Sequence, residues 1–146
     1  MLFSTATGYA LRTLAVMPED GSYSLAKNLA ARLGLPGPYL AKILQSLAQQ
    51  GMLQSVRGPR GGFRLSRPAK TISVGEVVKA LEGIEAMTGC IMGFTHCDKQ
   101  DNPCPLHEPW GQVKAHMEAS MTEVTIGDLQ AMDLRIQHKD PIHPRR

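Results

Sequence analysis

The sequence predicts a mainly α-helical fold with one small β-hairpin, followed by a long separate helix. Apolar residues recur at helical spacing through the first 50 residues, and again at 72–83 and 110–124. Residues 52–67 instead place short strand-like runs on either side of a glycine-rich turn. A chain of 146 residues, 42% of them hydrophobic, has room for one packed domain with an appendage.

Capping residues and helix breakers mark the first two helices. Ser4 or Thr5 can cap the first helix, which ends before Pro18. Ser24 opens the second helix, in which leucines recur at helical spacing. Gly34 ends that helix, because glycine is favoured just past a helix C-terminus.

The third helix begins at Pro38 and ends at Gly51. Proline suits a first helical position, where the amide it lacks would have no helical partner. Two helices joined by a short turn that contains glycine are typical of a helix-turn-helix, although such pairs also occur in proteins that never touch DNA. The inward-facing residues predicted for the third helix are Leu40, Ile43, Leu44 and Leu47.

A hairpin follows directly, with MLQSV and FRLSR as its strands and RGPRGG as its turn. Gly58, Gly61 and Gly62 supply the backbone freedom that a tight turn needs. An ordinary hairpin with solvated arginines would account for the turn, but not for four arginines in eleven residues beside three glycines. A hairpin after a helix-turn-helix is a wing, suited to a DNA groove and its phosphates. The four arginines are Arg57, Arg60, Arg64 and Arg67.

The charge is divided unequally between the two halves of the chain. Residues 1–80 hold ten basic and three acidic residues, a net charge of +7. Residues 81–146 hold six basic and ten acidic residues, a net charge of −4. This asymmetry favours a polyanion as the partner of the first half, although charge alone leaves open a solvated basic face.

A long helix is predicted from Trp110 to Met121 or Val124, with an apolar stripe that needs a partner. Either the same helix of a second copy or the winged domain of the same chain can cover this stripe. A further helix is predicted within 125–136, before a polar tail. The stripe consists of Val113, Met117, Met121 and Val124.

Residues 88–109 have little periodicity and are predicted as an irregular loop that holds all three cysteines. Cys90, Cys97 and Cys104 are spaced evenly, with six residues between neighbours, and His107 follows the last of them. Thiolates and imidazole are ligands of iron–sulfur clusters and of zinc. Zinc sites normally contain closer cysteine pairs, so the wide spacing favours a cluster.

The cysteines have three further roles open to them, as small buried hydrophobic residues, as a thiol switch or as a zinc site. Their odd number excludes a complete set of intrachain disulfides, and a reducing cytoplasm favours metal or redox chemistry. His96 is a lesser candidate ligand than His107, because it is adjacent to Cys97 and neighbouring residues rarely both reach one metal.

Two classes of protein are disfavoured by the motifs that the sequence lacks. It contains no nucleophile elbow, no P-loop and no dinucleotide-binding glycine motif, so an enzyme is not expected. No stretch approaches the roughly 20 apolar residues of a membrane helix, and the N-terminus lacks the layout of a signal peptide. We therefore expect a cytoplasmic protein without a membrane partner.

Residues 1–130 resemble the Rrf-two family of bacterial transcriptional regulators, which includes iron–sulfur cluster regulators and nitric-oxide-sensing repressors. The resemblance rests on STATGYALR (4–12), PYL (38–40) and SVRGPRGGFRL (55–65). The helix ISVGEVVKALEG (72–83) and the three-cysteine loop complete it. The wing string is long and highly specific.

The resemblance implies a homodimer with paired winged helices that binds double-stranded operator DNA. The recognition helix would enter the major groove, and the wing would probe the minor groove. Three loop cysteines and a histidine would hold an iron–sulfur cluster, with [2Fe–2S] favoured over [4Fe–4S]. The implied DNA-binding residues are Tyr39, Lys42, Arg57, Gly58, Arg60, Gly61 and Arg64. The implied cluster ligands are Cys90, Cys97, Cys104 and His107.

Three departures from the family pattern limit what the resemblance implies. Family members commonly leave five residues between cysteines, whereas this chain leaves six. The nitric-oxide branch has an N-terminal aspartate where this chain has Gly8, and the iron–sulfur branch has a serine and a glutamate where this chain has Pro38 and Ala41. The wider cysteine spacing weakens the transfer of cluster type and of a specific signal, and the operator preference of the iron–sulfur branch is not carried over.

The predicted domains are a winged helix-turn-helix at 1–83, a cluster-binding loop at 84–109, a dimerisation helix region at 110–135 and a polar tail at 136–146. The predicted function is a sequence-specific regulator, in the first instance a repressor, gated by a cluster that senses iron–sulfur status, redox state or nitric oxide. The alternative is a regulator that uses the cysteines as a thiol or zinc switch. An adaptor that has lost DNA binding is a third hypothesis, against which the intact wing argues.

Overall fold

The computed structural model describes residues 2–94 and 104–132. Among the helices of these two ranges, none has the length and apolar character that crossing a membrane requires. The helices are α1 Thr5–Val16, α2 Ala26–Leu33, α3 Gly37–Gln49, α4 Val74–Glu82, α5 Glu85–Thr88, α6 His107–Glu123 and α7 Ile126–Gln130. The strands are β1 Leu53–Val56 and β2 Gly62–Leu65, and a 3₁₀ turn spans Ala69–Thr71.

Helices α1 to α4 enclose one hydrophobic core, to which α3 contributes most. Leu40, Leu44 and Leu47 are completely buried, and Ile43 nearly so, which confirms the predicted inward face of α3. Burial of each such side chain contributes about 1.5–3 kcal/mol to the free energy of unfolding. One face of α3 therefore packs in the core, and the opposite face lies at the surface.

The second helix begins later than predicted, because Ser24 pairs with the hairpin instead of opening α2. The Ser24 amide donates to the Phe63 carbonyl at 2.9 Å, and the Phe63 amide donates back to the Ser24 carbonyl at 2.8 Å. Gly62 permits this approach: its φ is +116°, and a Cβ there would lie 2.1 Å from the Ser24 oxygen. A tertiary β-bridge has therefore overridden the local preference of serine for a helix cap.

The other predicted helix boundaries are confirmed or displaced by a few residues. Ser4 caps α1, its Oγ accepting the Thr7 amide at 3.4 Å, and Gly34 ends α2 with a φ of +65°. The third helix begins at Gly37, so Pro38 is its second residue rather than its first. That position still lies in the first turn, where a helix tolerates proline.

The hairpin forms as predicted, with β1 and β2 antiparallel and Leu53 opposite Leu65. Its inner side packs on the core through Leu53 and Phe63, both buried. The turn that connects the strands is exposed to solvent at residues 57–60.

The long helix α6 begins at His107, three residues before the predicted Trp110, and the short helix α5 was not predicted. No residue of α6 is buried. One side of it lies along α4, where Lys79 Nζ and Glu118 Oε1 form an ion pair at 2.9 Å. Within the predicted apolar stripe, Met117 and Met121 are half-buried, whereas Val113 and Val124 are exposed. The winged domain of the same chain therefore covers α6 only in part.

The C-terminal end of α6 is fastened to the winged domain. Val124 accepts the Val74 amide at 2.8 Å, and the Ile126 amide donates to the Ile72 carbonyl at 2.8 Å. Ile126 is completely buried in the core of that domain. From α7, Gln130 Nε2 donates to the Leu14 carbonyl near the end of α1 at 3.1 Å.

Candidate DNA interface and cysteine cleft

One face of α3 points away from the core. Pro38, Lys42, Gln45 and Gln49 are exposed on it, and their spacing of four, three and four residues places them on one helical stripe. Lysine donates to guanine acceptors in the major groove, and glutamine pairs with adenine. Lys42 was predicted from the resemblance, whereas Gln45 was missed. The helical periodicity that located the core also identifies Gln45, because it lies opposite the buried leucines.

Tyr39 lies beside this stripe rather than on it. Its ring meets the Tyr9 ring of α1 edge-on, with centroids 5.9 Å apart and an interplanar angle of 78°. The contact packs the start of α3 against α1. Tyr39 keeps 43% of its surface exposed, so its predicted contact with DNA stays a prediction.

The turn of the wing presents two arginines on a backbone that requires glycine. Arg57 and Arg60 are exposed, and neither has a hydrogen bond or ion pair among the residues that the structure describes. The Gly61 amide donates to the Gly58 carbonyl at 3.0 Å, which closes the turn. A Cβ at Gly61 would lie 2.1 Å from the Val56 oxygen. Position 61 therefore requires glycine, because a side chain there would clash with the backbone of β1.

The other two arginines of the hairpin are engaged inside the chain. Arg64 Nε donates to Gln54 Oε1 at 2.8 Å, and the guanidinium lies 4.6 Å from the centre of the Tyr23 ring. Arg67 forms an ion pair with Glu76 at the start of α4. Both arginines hold the base of the wing to the winged domain. Arg64, although predicted to bind DNA, therefore also has a structural role.

Three of the four predicted cluster ligands line one open cleft of about 900 Å³ near the start of α6. Cys90 and Cys104 are both partly exposed, and His107 is the first residue of α6. The Cys104 Sγ lies 3.9 Å from Met92 Sδ. Cys97 lies outside the described residues. Within the described ranges, no three histidine, cysteine or acidic side chains are close enough together to hold one metal ion.

The thiol of Cys90 has a lowered pKa. Hydrogen bonds from Met92 and Phe94, and then from Gly93, lower the pKa of the thiol, with a smaller contribution from the charge of Lys114. Such bonds stabilise a thiolate and are typical of the sulfur atoms around iron–sulfur clusters. The donor set of this cleft therefore fits a group bound through thiolates.

The comparison with known families agrees with the winged-helix fold. A family model described as "Rrf2: Iron-dependent Transcriptional regulator" matches residues 3–132. The chain belongs to the Rrf2 family. It is 32% identical over 120 residues to the HTH-type transcriptional regulator IscR of Klebsiella pneumoniae, a match that covers 82% of this chain and 72% of that protein. The resemblance to this family is confirmed, and the chain is a transcriptional regulator rather than an enzyme.

Solved structures of Rrf2-type regulators share the fold of this chain. CymR, the global cysteine regulator of B. subtilis, matches with a TM-score of 0.72 at 22% identity, covering 90% of this chain and 98% of that one. IscR of T. potens matches with a TM-score of 0.68 at 27% identity, covering 88% and 85%. The predicted fold class, a winged helix-turn-helix with a long additional helix, is confirmed.

Proposed function

We propose that this Rrf2 regulator is a homodimeric, operator-binding repressor whose affinity for DNA is gated by an iron–sulfur cluster. The proposed ligands are Cys90, Cys97, Cys104 and His107. The supporting observation is the cleft that Cys90, Cys104 and His107 share, with backbone amides directed at the Cys90 sulfur. A bound cluster would supply redox and ligand-exchange chemistry, for which [2Fe–2S] is the favoured type. The chain supplies the thiolates, the imidazole and the hydrogen bonds that stabilise them.

On the DNA side, Lys42 and Gln45 are proposed to read base edges in the major groove. Arg57 and Arg60 are proposed to bind in the minor groove and to its phosphates, because they are exposed and have no partner among the described residues. The glycines at 58 and 61 let the backbone of the turn approach the duplex closely.

The exposed part of α6 supports the proposal of a homodimer. Val113 keeps 53% of its surface exposed, and α6 has no buried residue along its 17-residue length. The same helix of a second copy is the simplest cover for such a face. Two recognition helices would then meet half-sites about 34 Å apart, so a small displacement of α6 would change the affinity for the operator.

The cluster is tested by anaerobic purification, with iron and sulfide counts and visible absorption. Wild-type protein should be coloured, and Cys90→Ala should lose both the colour and the iron. Met92→Leu is the matched control, because it removes a neighbouring sulfur that is not a proposed ligand. Iron-free wild-type protein that still binds DNA would contradict the gating and would favour the thiol or zinc switch, which zinc analysis and thiol titration distinguish.

DNA binding is tested by titrating operator duplex at several salt concentrations. Replacing Arg57 and Arg60 together by alanine should make the slope of log affinity against log salt less negative by roughly 1.8, since each phosphate contact contributes roughly −0.9. Arg67→Ala is the control, because this arginine is paired with Glu76. Equal affinity of wild type and the double variant would support the adaptor hypothesis instead.

Base reading is tested separately at Gln45. Gln45→Ala should weaken binding by about 1–3 kcal/mol on duplexes that carry the preferred base pair, and should make that position of the operator more tolerant of substitution. Gln112→Ala on α6 is the control. An unchanged base preference in the Gln45 variant would remove this residue from the interface.

A further inference from the structure

Two side chains of α6 donate hydrogen bonds to the backbone carbonyl groups at the C-terminal end of α5. Trp110 Nε1 donates to the Gly89 oxygen at 3.0 Å. Lys114 Nζ donates to the Thr88 oxygen at 2.9 Å and to the Gly89 oxygen at 3.2 Å. Carbonyls at the end of a helix have no helical partner, so α6 satisfies groups that α5 leaves open. We call these four residues, Thr88, Gly89, Trp110 and Lys114, the α5–α6 junction.

The residues of the α5–α6 junction flank the proposed cluster ligands in sequence. Gly89 directly precedes Cys90, and Trp110 follows His107 by three residues, about one helical turn. Trp110 and Lys114 are four residues apart and so lie on one side of α6. They line the same cleft as Cys90, Cys104 and His107. The junction therefore holds the segment that carries the first ligand against the helix that begins with the last one.

The two ends of α6 are attached to different parts of the molecule. At its C-terminal end, Val124 accepts the Val74 amide, and the adjoining Ile126 is buried in the core of the winged domain. At its N-terminal end, the described contacts of the junction attach it to the chain around Cys90. A change at the cleft would consequently act on α6 through Trp110 and Lys114.

We propose that Trp110 and Lys114 are positioning residues that set the place of Cys90 before any cluster binds and that couple the state of the cleft to α6. This inference rests on the proposed function and deepens it, because it names the residues that connect the sensor to the dimerisation helix. Neither residue is a ligand. Both donate hydrogen bonds to the main chain directly before Cys90, and a side chain that only filled space could not do so.

The experiment compares Trp110→Phe, Lys114→Met and the double variant with wild type. Phenylalanine keeps an aromatic ring without the N–H donor, and methionine keeps the chain length without the charge. Lys79→Met is the matched control, because it breaks another polar contact of α6, the ion pair with Glu118, and leaves the bonds to the Thr88 and Gly89 carbonyls in place.

The first measurement is hydrogen exchange of the backbone amides at 89–93 in the protein without iron. The double variant should exchange there roughly tenfold faster than wild type, while Lys79→Met should match wild type. The second measurement is the rate of iron loss from the reconstituted protein to a chelator, which should rise several-fold in the double variant only.

The two proposals fail in different ways. Wild-type protein that takes up no cluster would contradict the proposed gating, but it would leave the exchange measurement as a complete test of the junction. Exchange at 89–93 that is the same in wild type and in the double variant would overturn the positioning role. Faster exchange in Lys79→Met as well would also overturn it, because the effect would then belong to α6 in general.

Discussion

The winged domain and α6 differ in how much of their apolar surface a single chain buries. In α3, Leu40, Leu44 and Leu47 are completely buried, whereas α6 is longer and has no buried residue. The face of α3 turned from the core is polar, and the uncovered part of α6 includes the exposed Val113. The helix that is proposed to read DNA is therefore completed by packing within the chain, whereas α6 presents a surface suited to the proposed second copy.

The largest effect is expected in the buried core of the winged domain. Leu44→Ala should lower the free energy of unfolding by about 2–5 kcal/mol, since it opens a cavity in a completely buried site. Val113→Ala should change it by less than about 0.5 kcal/mol in dilute protein, because that side chain is exposed. Urea denaturation of both variants measures this. Similar losses at the two sites would break the distinction between α3 and α6.

A second comparison uses two glycines. Gly62→Ala should destabilise the protein by about 2 kcal/mol or more, because its φ is +116° and the new Cβ would meet the Ser24 oxygen. Gly111→Ala in α6 meets nothing within 4 Å and should stabilise it by roughly 0.5–1 kcal/mol. Thermal unfolding reports both values. A neutral Gly62→Ala would show that the Ser24 bridge is dispensable.

A third prediction concerns the proposed dimer. Val113→Lys should raise the dissociation constant of the dimer by roughly tenfold or more, the equivalent of about 1.4 kcal/mol, because a charge would be placed in an apolar interface. Gln112→Lys, at the neighbouring exposed position, is the control. Sedimentation equilibrium measures the association. A dimer of unchanged strength in Val113→Lys would place the interface elsewhere.

The smallest effect concerns Glu82, which joins α4 to the start of α1. Its Oε1 accepts the Ser4 amide and the Ser4 hydroxyl, each at 2.6 Å, and the Thr7 hydroxyl at 2.5 Å. Partial burial raises the pKa of this carboxyl, but the bonds from Ser4 and Thr7 outweigh it and hold the pKa below the ordinary 4.5. The stabilisation is therefore present above pH 4.5 and is lost as the pH falls through the lowered pKa of the folded state.

Glu82→Gln should accordingly cost about 1 kcal/mol at neutral pH, and the difference from wild type should shrink as the pH falls below 4.5 and through the lowered pKa of Glu82. Unfolding free energies measured across this range test the sign. Glu85→Gln on the exposed surface of α5 is the control. A difference that grows on acidification would contradict the assignment.

Much of the DNA-binding half could be predicted because its signals are local. Gly34, Gly58 and Gly61 mark turns through their own backbone needs, and the leucines of α3 mark its core face through periodicity. Ser24 could not be predicted correctly, because its partner Phe63 is 39 positions away in the chain and a serine before an apolar helix looks like a cap. The sequence also could not separate the arginines that have partners among the described residues from those that do not. Only the fold shows that Arg64 and Arg67 have such partners.

By itself, the sequence determined the helix-turn-helix, the hairpin, the asymmetry of charge and the family, since periodicity, turn chemistry and motif spacing are properties of neighbouring residues. The tertiary structure alone decided which side of α6 the chain covers, which arginines of the wing have partners among the described residues, and that Trp110 and Lys114 reach the carbonyls before Cys90. Those outcomes depend on contacts between segments far apart in the chain, and such contacts form only when the core has set the elements side by side.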